Sequence, residues 1–366
     1  MPKDPIILAW TKYNGRRMMR DYLQPNAANL SSCAEKCFYS DCKNLYAKKA
    51  VVTIFHDKDL DVDDLPPDNP ERLNVFFSEV TPKHSRDVYK NIKGGYFNLT
   101  MTYRQDSDIA SPLDEFVRIG VNATREECWK QGECWSQREV ENIASKKTEL
   151  AIQILDDCKT DSKRENYVEE LKKFMKINQY GACFDKNCSG QNCLKEIDKH
   201  HFILAFEDTV CKHYTSPEFW YVKRLIVPVV LSANSLDGTE IPNTAYIAAS
   251  DYPNPELLAE KLITLRNNTD EKYSIKYTDY FQWTQTYKKI KRPDNRLCEL
   301  CKWAVYKWRN EMEEIHKWWE CRAKCRRGYA DHWLLNKPID SASILLQFSI
   351  FTVFFCTSFQ YVMSFL

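Results

Sequence analysis

The sequence is poor in glycine, with nine in 366 residues, and none of them forms a Gly-x-Gly-x-x-Gly run. A glycine-lined dinucleotide cradle is thereby excluded, so any phosphate would have to be held by side chains and helix N-termini. An excess of one charge is also missing, since 52 Lys and Arg stand against 51 Asp and Glu. Without a basic excess there is no electrostatic footprint for nucleic acid, which argues against it as a partner. The N-terminus, MPKDPIILAWTKYNG, contains only a five-residue apolar run. That is too short for a signal peptide or a membrane anchor and reads as a first buried strand.

What is plentiful is cysteine. Of the fifteen, fourteen precede the C-terminal apolar tail, in local groups such as Cys33/Cys37/Cys42, Cys128/Cys134, Cys183/Cys188/Cys193, Cys298/Cys301 and Cys321/Cys325. An even number of clustered cysteines predicts a disulfide framework made in an oxidising compartment. Five Asn-x-Ser/Thr sequons, at Asn29, Asn98, Asn122, Asn187 and Asn267, agree, because glycan acceptors are read in the secretory lumen. The rival reading is zinc, for which Cys298, Cys301, Cys321 and Cys325 would supply four thiolates. Residues 341–366 carry no charge and are rich in Phe, Ile, Leu and Val, long enough to span a bilayer. Such a tail is expected to be a membrane anchor or a lipid-anchor signal removed on processing. Because the lumenal features come without an N-terminal entry signal, the expectation is an N-terminal anchor missing from this sequence, or the tail in its place.

A chain of this length predicts two domains, and 43% apolar residues supply ample core. IILAW, AVVTIF and ERLNVFFSEV read as buried strands, and the acidic, Pro-rich DKDLDVDDLPPDNPE between the last two as a surface loop. Around 112–150 the pattern turns charged and helical, a plausible joint. From TELAIQIL onward strands and helices alternate again through HFILAF, VPVVL and AYIAAS to the helix NPELLAEKLITLRNN. Alternation of this kind predicts an α/β fold with parallel sheets, a second doubly wound domain, and a ligand crevice at the carboxyl ends of its strands. Between HFILAF and LIVPVVL lies CKHYTSPEFW, placed as a ligand-facing loop and a short helix.

Two stretches narrow the reading. YFNLTMTYRQDSDIASP, Tyr96 to Pro112, is one; the other runs from LDDCKTDSKRENYVEELKKF through YGAC, HFILAFEDTVCKHYTSPEFW, VPVVL and YIAASDYPNPELLAEKL to YTDYFQW and a Cys-x-x-Cys. Together they resemble the family 10 glycosyltransferases, the α1,3-fucosyltransferases, in motif order as well as content. The resemblance implies a GT-B type fold, two Rossmann-like doubly wound domains facing a central cleft. It assigns residues 1–145 to the acceptor side and 146–295 to GDP-fucose, followed by a Cys-rich segment 296–335 and the tail 341–366. It further implies an inverting, metal-independent transfer of fucose in α1,3 linkage to N-acetylglucosamine of an N-acetyllactosamine type glycan, in the Golgi membrane with a lumenal catalytic domain. No cofactor is implied beyond the donor substrate.

Carried over residue by residue, the resemblance makes Arg164 the arginine that grips the diphosphate, a role suited to a guanidinium; a solvated helix arginine is the alternative. Glu207 matches the glutamate of the family's Phe-Glu-Asn, Asp208 stands where its asparagine would, and Tyr214 matches the tyrosine of the donor loop. Tyr103, Arg104, Asp106, Ser107 and Asp108 form the acceptor-side motif, or else a structural loop. The expected general base falls on Val80 by alignment, with Glu79 one residue early, so Glu79 serves only if the strand is locally re-aimed; a structural glutamate is the alternative, and nearby His84 a substitute base. The donor loop departs most, since the family's Glu-Lys is Pro217-Glu218 here. A carboxylate in place of a lysine repels a diphosphate, with Lys223 and Arg224 the candidate replacements. A catalytically degenerate member, acting as a lumenal glycan- or protein-binding scaffold, is therefore the second reading beside transferase activity.

Overall fold

The computed structural model describes residues 2–23, 30, 33–67, 69–120, 123–267, 275–290, 296–310, 312 and 314–335. The apolar tail and the sequons at Asn29 and Asn122 lie outside the described residues. Among the described residues no helix is long and apolar enough to cross a membrane. The chain divides into two compact units, one made of residues 1–113 and 292–324, the other of 114–291 and the chain from Cys325 onward.

The first unit is built on a six-stranded sheet of β1 (Ile6–Ala9), β2 (Phe38–Ser40), β3 (Val52–His56), β4 (Leu73–Ser78), β5 (Leu99–Thr102) and β6 (Ile109–Ala110). Their order is β2-β1-β3-β4-β5-β6 with every pairing parallel, in register Ile7 with Val52 and Ile54 with Val75. β1, β3 and β4 are buried at every position, as mainly apolar strands of a doubly covered parallel sheet should be. One face is closed by the helix Arg296–Tyr306, whose Leu297, Leu300, Cys301 and Ala304 join Ile7, Ile54, Val75 and Phe77 in one core. Disulfides Cys33–Cys298 and Cys37–Cys301 staple that helix in place across 265 and 264 residues of chain. The expected surface loop after β3 differs in one respect. Its first residue, Asp57, is fully buried; its Oδ2 accepts hydrogen bonds from Ser78 Oγ and Ser85 Oγ at 3.0 and 2.6 Å, which replace water on that oxygen.

The second unit carries β7 (Glu149–Ile154), β8 (Ile177–Tyr180), β9 (His200–Leu204), β10 (Val227–Val230) and β11 (Ile247–Ala248) in a five-stranded parallel sheet, order β11-β10-β9-β7-β8. Helices Arg164–Leu171 and Gly190–Lys199 make the crossovers into β8 and β9, and Pro255–Asn267 follows β11. Both sheets reverse their strand order beside the first strand, between β1 and β3 and between β7 and β9. That is the switch point at which doubly wound sheets open a crevice for ligands. The chain is an α/β protein with two parallel, doubly wound sheets.

At the rim of the second crevice, Gly181 explains the Tyr-Gly-x-Cys motif. Its φ is +103°, and a Cβ there would lie 2.2 Å from the Leu155 carbonyl oxygen, where the turn after β8 closes on the loop after β7. Cys158–Cys183 locks the same two loops together.

Candidate functional site

The switch point of the second unit gathers several of the residues singled out above. The loop after β7 ends in Lys163, held at a left-handed φ of 62°, so that Arg164 starts its helix pointing inward at 6% exposure. Arg164 Nη1 donates to the Phe206 carbonyl at 2.6 Å, at the end of β9, while its buried Nε has no hydrogen-bond partner. Ser162 ties the same two loops, its Oγ donating to the Glu207 carbonyl at 2.6 Å and its amide to the Asp208 carbonyl at 2.9 Å. Arg164 is therefore not a solvated helix arginine but a fixed guanidinium with donor capacity to spare.

Glu207 beside it is fully buried. Its Oε2 accepts the Leu231 amide at 2.7 Å, and its Oε1 has no hydrogen-bond partner. Burial pushes its carboxyl up to about 8, against the pull of backbone amides, so it holds a proton at neutral pH. Asp208 is half-buried, with Oδ1 accepting the Thr209 amide at 2.7 Å.

The donor loop reaches this cluster. Cys211 is bonded to Cys325, and after the left-handed turn at His213 the loop enters the short helix Pro217–Arg224. Pro217 is exposed at the first helical position, where a proline's fixed φ suits the turn and its missing N–H costs nothing. Glu218 follows in the first turn, where the helix end favours a carboxylate. Burial raises its carboxyl, Arg164 draws it back down, and Asp208 pushes it up again. The glutamate at the family's lysine position is thus within electrostatic reach of the arginine. Tyr214, in the same loop, is 8% exposed. The two candidate replacement cations are committed elsewhere: Lys223 Nζ pairs with Asp114 at 2.7 Å, and Arg224 Nε with Asp198 at 2.7 Å.

In the first unit, Glu79 sits in the bend just beyond β4 and is buried, at 8% exposure. Its Oε1 accepts from Arg296 Nη1 at 2.9 Å, and its Oε2 from the hydroxyls of Tyr13, at 2.8 Å, and Tyr22. Burial raises the carboxyl, with Arg296 and Tyr13 opposing. Tyr13 and Tyr22 stack at 3.6 Å between centroids, and Arg296 also donates to Ser111 Oγ at 2.8 Å. Beside them His56 is held between Asp57 and Asp59, at 3.4 and 2.7 Å. His84 Nδ1 is bonded to Thr81 Oγ1 at 3.1 Å.

The acceptor-side motif forms the turn from β5 to β6. Arg104 is fully buried, forks onto Asp106 at 2.8 and 2.6 Å, and lies over the Trp318 ring at 4.4 Å. Ser107 Oγ meets Thr102 Oγ1 at 2.6 Å, and Asp108 accepts from the Thr100 amide and hydroxyl, both at 2.8 Å. Tyr103 packs edge-on against Trp319. These contacts tie the turn to its own unit. Of the described sequons, Asn187 and Asn267 are exposed, whereas Asn98 Oδ1 accepts the Asn74 amide. Cys298, Cys301 and Cys325 are all consumed in disulfides, so the thiolates required by the zinc reading are not there.

Arg296, Tyr13, Tyr22 and Ser162 were not singled out by sequence reasoning. The one available signal was the two local cysteine groups, Cys33/Cys37 and Cys298/Cys301, which place Arg296 beside the first sheet once they are joined.

Two doubly wound α/β units, the second with a buried, partly uncommitted arginine at its switch point, define a class of protein fitted to hold an anion there. Family descriptions sharpen this. Residues 2–114 match "Fucosyltransferase, N-terminal" and residues 144–318 match "Glycosyltransferase family 10 (fucosyltransferase) C-term". The chain belongs to glycosyltransferase family 10. Among curated relatives, the α-(1,3)-fucosyltransferase fut-1 of Caenorhabditis elegans is 26% identical over 75% of this chain and 62% of its own length. The α-(1,3)-fucosyltransferase fut-5 of the same organism is 28% identical over 83% and 82%. A 3-galactosyl-N-acetylglucosaminide 4-α-L-fucosyltransferase of Bos taurus is 31% identical over 61% and 56%. The chain thus spans less than two thirds of the length of the first and third. A solved α1,3-fucosyltransferase with GDP-fucose aligns at a TM-score of 0.48 and 12% identity, over 76% of this chain and 81% of that one.

Proposed function

We propose that this chain transfers fucose from GDP-fucose, in α1,3 linkage, to N-acetylglucosamine of N-acetyllactosamine type glycans in the Golgi lumen. The observation that carries the reading is Arg164, a buried guanidinium with an unused donor at the switch point of the second sheet. In this reading Arg164 binds the diphosphate, while Glu207, Asp208, Tyr214 and Glu218 shape the rest of the donor site. The acceptor hydroxyl oxygen bonds to the anomeric carbon as the bond to the phosphate oxygen breaks, with inversion. GDP leaves with the electron pair, stabilised by side-chain cations rather than a metal, and the hydroxyl proton passes to a carboxylate, for which Glu79 is the candidate. Tyr103 to Asp108 support the acceptor side. The segmentation into an acceptor-side domain 1–145, a donor domain 146–295 and a Cys-rich segment 296–335 belongs to the same reading, as does membrane attachment through the tail 341–366.

Two observations favour the second reading, a degenerate member that binds without transferring. Glu218 occupies the lysine position, and both oxygens of Glu79 are taken by Arg296 and the two tyrosines. Incubating the full chain with labelled GDP-fucose and type II lactosamine acceptors separates the two. Transfer that disappears in Arg164→Ala is expected, and a wild-type chain that transfers nothing would overturn the enzymatic reading.

A further inference from the structure

The donor loop has lost its lysine, and the two cations of its helix are engaged by Asp114 and Asp198. A different part of the chain supplies a replacement. Residues 325–334 lie beyond the family match, which ends at residue 318, and run as a strap against the loops that follow β7 and β9. Cys325 is bonded to Cys211, directly at the start of the donor loop. Arg326 then pairs antiparallel with Val210, its amide donating to the Val210 carbonyl at 2.8 Å. The amides of Gly328 and Ala330 donate to the carbonyls of Asp161 and Ser162 at 2.8 and 2.9 Å, on the loop that leads into Arg164. The strap is thereby pinned to both loops of the switch point.

The two arginines of the strap differ. Arg327 Nε is bonded to Asp161 at 3.1 Å, a structural tie. Arg326 is partly exposed, and its guanidinium makes no hydrogen bond or ion pair among the described residues. Three residues on, the strap buries Tyr329, so Arg326 is carried on backbone that is fixed on both sides. A long cation fixed at its backbone and uncommitted at its tip is suited to a ligand that brings its own charge.

We propose that Arg326 is the second phosphate-binding residue of the donor site, replacing from the C-terminal strap the cation that Glu218 displaced from the loop. The inference rests on the reading of this crevice as the GDP-fucose site. It is tested by titrating the full chain with GDP and with GMP. Loss of a charged contact to the outer phosphate should weaken GDP by roughly tenfold to a hundredfold in Arg326→Ala and leave GMP nearly unchanged. Arg326→Lys should recover part of the loss, and Arg327→Ala should leave both affinities near wild type. Wild-type GDP binding that depends on Arg164 but is indifferent to Arg326→Ala overturns this inference alone. Equal loss of GDP and GMP in Arg326→Ala also overturns it, by making the residue structural. A wild-type chain that binds no GDP overturns the donor-site reading, and this inference with it.

Discussion

The crevices of the two units have the same topology and opposite chemistry. At the first, the carboxylate of Glu79 is buried with a guanidinium on one oxygen and two phenols on the other, so its bonding capacity is used up inside the protein. At the second, Arg164 Nε and Glu207 Oε1 are buried without partners. Burying a polar atom unsatisfied costs about 1–3 kcal/mol, so folding alone would not maintain it. A buried surplus is one mark of a residue placed for a ligand, although Asp57 Oδ1 in the first unit is also buried without a hydrogen bond, 3.4 Å from His56 Nε2. The proposed nucleotide site at the second crevice rests on that contrast, and in the same proposal Glu79 would act as base only once its cage opens.

The largest test of this contrast is Arg296→Ala. Removing one partner of a buried ion pair costs about 3 kcal/mol or more, which should lower the melting temperature by roughly 10 °C. Combining Arg296→Met with Glu79→Gln should restore part of it, since no charge is then stranded. Nucleotide affinity should not change. A melting temperature close to wild type would mean that Glu79 is accessible and free to act as the base, and the contrast would break.

The second test turns on the surplus at Glu207. Its folded carboxyl lies at about 8, above its ordinary value of 4.5, so folding takes up a proton between those limits. That contribution is complete below 4.5 and is lost as pH rises through about 8. The wild-type melting temperature should therefore fall by several degrees between pH 5 and pH 8, while Glu207→Gln, permanently neutral, should show a flatter profile. Equal slopes in the two proteins would place the titration elsewhere.

Much of this architecture was legible before any coordinates. IILAW, AVVTIF and VPVVL became β1, β3 and β10 because parallel strands buried on both faces are mainly apolar, with Thr53 and His56 the polar members of β3. β2 and β6 escaped notice for the opposite reason: FYS and IA are three and two residues long, too short for any period. Arg164 could be marked as a site residue from its motif, but its uncommitted Nε follows from a left-handed Lys163 that no pattern announces. The Arg296–Glu79 pair joins residues 217 apart in sequence, and only the paired cysteines hinted at it. The strap shows the same limit from the other end, because a Cys211–Cys325 link is one of many connectivities that clustered cysteines allow.

The smallest test returns to Pro217 and Glu218. Pro217 is exposed and opens the helix, so it need not be altered; the charge that matters is its neighbour Glu218, within electrostatic reach of Arg164. Glu218→Lys replaces a repulsive charge with an attractive one at a partly solvated position, where the change in GDP affinity should be about tenfold in favour of binding. Glu218→Gln should give a fraction of that. Because the wild-type carboxyl is raised by burial, it is more readily neutralised than an exposed glutamate, so GDP should bind more tightly as the medium becomes acidic. Glu218→Lys should lose that part of the pH dependence. Affinity that ignores both residue 218 and pH would show that the diphosphate lies away from this loop, leaving Arg164 and the strap to hold it alone.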